Sequence, residues 1–72
     1  MINCFYVDGR YTHPNLDGYF IVVKSCEVVH HLDAVEIVYE VRKIADEKLI
    51  LERNKMFVNV DDFFDWSQLG LC

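Results

Sequence analysis

Seventy-two residues, 53% of them hydrophobic and 14% aromatic, make one small domain and are too apolar for a disordered chain. Twelve acidic against seven basic side chains give a formal net charge of -5, which argues against the basic surface that ordinary nucleic-acid or anionic-membrane binding needs. The longest apolar run, Tyr19 to Val23, falls far short of the roughly 20 residues of a membrane span.

Residues 1–4 show no basic segment leading into an apolar one, so no secretory leader is expected. Cys4, Cys26 and Cys72 are an odd number without framework spacing, which suits reduced thiols and a cytoplasmic protein.

Ile2 to Val7 is short, apolar and aromatic, which predicts a first strand. His13-Pro14-Asn15-Leu16-Asp17-Gly18 gathers turn formers and predicts a loop. Tyr19 to Val29 is rich in β-branched and aromatic residues and is the strongest strand signal in the chain. His30 to Asp33 reads as a connection.

Residues 34–44 carry two signals. Val35, Ile37, Tyr39 and Val41 recur with the period of a half-buried strand. Asp33 and Glu36 resemble a helix capping pair, and Ala34, Ile37, Val38, Val41, Ile44 and Ala45 would share a helical face. The density of β-branched residues favours the strand.

Residues 45–48 predict a turn, and Leu49-Ile50-Leu51 opens another strand. A slip of phase between Val41 and Ile44 predicts a bulge near Arg42-Lys43. Met56 to Val60 extends the last strand after a kink at Asn54-Lys55. The end predicts a short helix, capped by Asn59 or Asp61, with Phe63, Trp66 and Leu69 toward the sheet and Gly70 as its stop. The expected fold is therefore α+β: a small antiparallel sheet of about four strands with one short C-terminal helix packed on one face. Apolar residues at successive positions in Tyr19–Val23 and Leu49–Leu51 give both sheet faces apolar side chains. One short helix covers only one face, so a second copy of the chain or a partner is expected on the other.

Candidate chemistry is sparse. Cys26, His30 and His31 are zinc-type ligands, with Cys4 and His13 as possible additions, but their spacing matches no closed structural site. A small zinc-binding domain using Cys26, His30 and His31 is the alternative reading. Cys26 beside a histidine could also be a nucleophile with its base, although nothing supplies a third, orienting group. Paired carboxylates such as Glu36 and Glu40 could do acid–base work, but solubility and capping explain them more simply. Gly9, Gly18 and Gly70 form no phosphate loop, and no cofactor is implied.

The arrangement of acids is more suggestive. Every charged residue between Lys24 and Arg42 is acidic: Glu27, Asp33, Glu36 and Glu40. After Lys55 the charged residues are again all acidic: Asp61, Asp62 and Asp65. Alternate residues on a strand stand about 6.6 Å apart, close to the phosphate spacing of a nucleic-acid strand. Such a stripe could enter the basic groove of a nucleic-acid-binding protein, and a plain solvated acidic face is the simpler account.

In size and acidic character the chain resembles small phage-encoded inhibitors of host defence, such as anti-CRISPR proteins. That resemblance implies a stoichiometric inhibitor. The residues expected to bind a protein partner are Glu36, Tyr39, Glu40, Asp61, Asp62 and Asp65, since aromatics anchor interfaces and acids steer basic partners. The expectation is a non-enzymatic protein-binding module, homodimeric, with no metal.

Overall fold

The computed structural model describes residues 4–69. Five strands form one antiparallel sheet in the order β4-β3-β2-β1-β5. They are β1 (Arg10–Thr12), β2 (Tyr19–Val29), β3 (Ala34–Lys43), β4 (Leu49–Asn59) and β5 (Ser67–Gln68). Two 3-10 segments, His30–Leu32 and Val60–Asp65, complete the regular structure. Among the described residues no helix is long and apolar enough to cross a membrane.

The expected C-terminal helix is absent, and the fold is nearly all-β, not α+β. Two things cut the helix short. Ser67 and Gln68 pair with Thr12 and Tyr11, which demands extended backbone from Trp66 onward. Asn59 makes no side-chain cap bond, and six residues remain. The spacing of three between Phe63 and Trp66 suits a 3-10 turn, where residues three apart eclipse. Both are buried against the sheet, as expected of them. Gly70 and Cys72 lie outside the described residues.

The predicted first strand is also displaced. Among residues 4–7 there is no strand, and the pairing begins at Arg10. Gly9 explains part of this local path. A Cβ there would stand 2.5 to 2.8 Å from the hydroxyl and ring of Tyr11, so the chain passes too close for any side chain. The Tyr6 N–H donates to the Tyr11 hydroxyl at 2.8 Å and ties the segment down.

The remaining elements follow the pattern read from the sequence. β2 spans the predicted residues, and Ala34–Lys43 is strand, not helix. The loop before β2 turns on Gly18 in the left-handed region (φ 84°). Register breaks fall between Tyr39 and Val41 and between Val41 and Arg42, with the extra residues on β4, so β4 has no separate kink at Asn54-Lys55.

These breaks decide which side chains share a face. On the inner face Tyr11, Ile21, Val23, Val35, Ile37 and Val58 form the floor, and Phe5, Phe63 and Trp66 cover it. Phe5 is the hub: Tyr11, Phe63 and Trp66 all meet it edge to face at 5.0, 5.3 and 5.5 Å. On the outer face Phe20 is buried beneath the Arg10 guanidinium, 5.6 Å from its ring centre. The outer face is thus closed by charged groups over its one large apolar side chain, and the open apolar surface lies on the inner face.

Candidate functional site

The expected partner-binding residues separate into three places. Tyr39 is half-buried on the inner face. Glu36 and Glu40 are on the outer face, and Asp61, Asp62 and Asp65 are exposed along the Val60–Asp65 turn. Asp65 Oδ2 approaches His13 Nε2 at 3.9 Å.

Glu40 is not free to meet a partner. It is 9% exposed, accepts a hydrogen bond from Arg42 Nε and lies 3.4 Å from Lys24 Nζ. Donation from Arg42 holds its carboxyl below the usual glutamate value against the opposing effect of burial. Lys24 reaches it because β2 has an extra residue between Val23 and Ser25, which turns the lysine onto the outer face.

Glu36 has a different setting. Glu27, Glu36 and Phe57 are direct register partners across β2, β3 and β4, so they form one row on the outer face. Directly opposed residues have Cβ atoms about 4.5–5.5 Å apart, and like charges so placed repel. Lys55 answers Glu36 at 3.6 Å, and Phe57 is 53% exposed at the end of the row. Residues 25–38 and 55–62 form this end of the sheet, where β2 turns into β3 and β4 stops. They hold five acids (Glu27, Asp33, Glu36, Asp61 and Asp62) and one base, Lys55. The other seven acids and six bases nearly cancel, so four of the five net negative charges sit at one end.

The inner face carries a groove of about 440 Å³ beside the aromatic cover. Ile21 and Val41 line its floor; Leu51 and Met56 flank it from β4, and Leu16 and Trp66 from the opposite side. The bulged stretch of β4 places both Ile50 and Leu51 along it. His13 packs on Trp66 with ring centres 4.8 Å apart, and its Nδ1 accepts the Asn15 N–H at 3.1 Å. Sequence reasoning missed this groove, because Leu16, Tyr39 and Leu51 meet only through the sheet register.

Among the described residues no three His, Cys, Asp or Glu side chains come together in a metal-holding group. Cys26 is half-buried on the inner face, opposite Ile37, while His30 and His31 are exposed in the 3-10 segment. Burial, and Cys4 close by, push the Cys26 thiol up, which keeps it protonated and weak as a nucleophile. No family model, curated protein or solved structure matches this chain.

Proposed function

We propose that this chain is a small non-enzymatic module that acts stoichiometrically by docking a basic segment of a protein partner on the acidic end of its outer face. The row Glu27–Glu36–Phe57 carries the reading. Two glutamates held opposite each other cost stability in the free chain, and a partner's cation between them recovers it. Arginine fits best. Its planar guanidinium can fork onto two carboxylates and stack on the exposed Phe57 ring. Asp33, Asp61 and Asp62 add long-range attraction that steers such a partner in. An inhibitor that occupies a basic surface of a nucleic-acid-binding protein would use a surface of this kind. The free thiols of Cys4 and Cys26 suit a reducing compartment such as the cytoplasm.

The test is a heteronuclear NMR titration with hexa-arginine and, separately, hexa-lysine. The expected result is saturable shifts centred on Glu27, Glu36 and Phe57, with tighter binding of the arginine peptide. Equal binding of both peptides, or shifts spread over distant acids such as Asp17 and Asp46, would reject the proposal.

A further inference from the structure

The groove on the inner face has the build of a different site. We infer that it binds an uncharged, largely apolar small molecule bearing a ring. Its volume of about 440 Å³ falls in the range of ligand pockets, roughly 300–1,000 Å³. Its lining contains no Asp, Glu, Lys or Arg, although such residues are 26% of the chain. An ionised ligand would therefore lose its hydration there and find no opposite charge in return. Tyr39 and Trp66 offer ring faces and edges, and the amides of Asn15 and Asn54 supply the few polar contacts that fix orientation.

The walls are set before any ligand arrives. Trp66 is held by Phe5 on one side and His13 on the other. Tyr39 and Val41 stand on the central strand β3, paired on both sides. Shape separates a small molecule from the other occupants. A concave groove placed over its own copy by a two-fold axis would leave both hollows unfilled. A partner strand added at the free edge of β4 would meet its bulged stretch near Ile50 to Arg53, and bulges of this kind defend edges against such pairing.

The test uses two dyes with one ring skeleton. N-phenyl-1-naphthylamine is neutral, and 8-anilino-1-naphthalenesulfonate adds a sulfonate. Fluorescence titration of the full chain should give one site for the neutral dye, about tenfold or more tighter than for the sulfonated one. NMR shifts should centre on Tyr39, Val41, Leu51 and Met56. Leu51→Trp puts an indole into the groove mouth at a position 49% exposed, so the fold is kept and neutral-dye binding should be lost. Phe57→Trp, on the outer face, should leave it unchanged. Equal binding of both dyes, no binding of the neutral dye, or full binding by Leu51→Trp would overturn the inference. So would a chain that sediments as a dimer and admits the dye only on dilution, since a second copy would then fill the groove.

Discussion

Phe5 lies outside every strand, yet its removal should be among the most damaging substitutions in this protein. It is 4% exposed and makes three edge-to-face contacts, with Tyr11, Phe63 and Trp66. Truncation of a buried Phe to Ala costs about 3–5 kcal/mol. A chain of 72 residues has a total stability of about 4–11 kcal/mol. Phe5→Ala should therefore consume a third or more of the total and lower Tm by at least about 12 °C, at about 4–8 °C per kcal/mol for this size. Phe5→Leu keeps most of the apolar volume and loses the ring contacts, each worth about 0.5–1.5 kcal/mol. Its cost should be about 1.5–3 kcal/mol. Trp66 is the only tryptophan and touches the mutated ring, so its fluorescence in a urea titration reports both variants directly. A loss below about 1 kcal/mol for Phe5→Ala would refute the role of residues 4–7 as a pinned cover of the inner face.

Other outcomes follow from the same contacts. Gly9→Ala should destabilise by about 1–3 kcal/mol in thermal melts, because the new methyl meets a fully buried Tyr11 ring. Glu40→Gln should cost about 1.5–3 kcal/mol in urea at neutral pH, the value of a charge-assisted bond to Arg42. The folded chain lowers the Glu40 pKa, so this contribution is complete above the ordinary glutamate value of about 4.3 and is lost as pH falls through the lower folded value. The gap between wild type and Glu40→Gln should accordingly close in acid. A gap that widened in acid would contradict the assignment. Gly18→Ala, at φ 84°, should cost about 1 kcal/mol by loop strain alone, with no clash to relieve.

The strands β2 and β3 were legible because β-branched side chains recur in them without a Gly or Pro break, and side-chain stiffness suits extended backbone. The loop at residues 13–18 was legible from its turn formers. β1 was not. Arg10-Tyr11-Thr12 carries little strand signal of its own, and it is extended because β2 and β5 flank it. The expected helix failed for the same reason, since pairing of Ser67 and Gln68 overrides the local pattern of Val60–Asp65. The acidic stripe was half legible. Alternation placed Glu36 and Glu40 on one face, but a bulge invisible in the sequence brings Lys24 to Glu40 and takes it out of play. Glu27 and Glu36 were noted as acids in one run, while their direct opposition next to Phe57 needed the register.

The affinity of Glu27→Lys for hexa-arginine, measured against the unmodified chain at one salt concentration, tests the proposed function most directly. The substitution replaces a repelling pair with an attracting one, so folding stability should rise by about 0.2–1 kcal/mol. Binding should weaken at least about tenfold, since the cation it would receive is now supplied from within. Retained affinity in that stabilised variant would show that the Glu27–Glu36–Phe57 row is not where a basic partner docks.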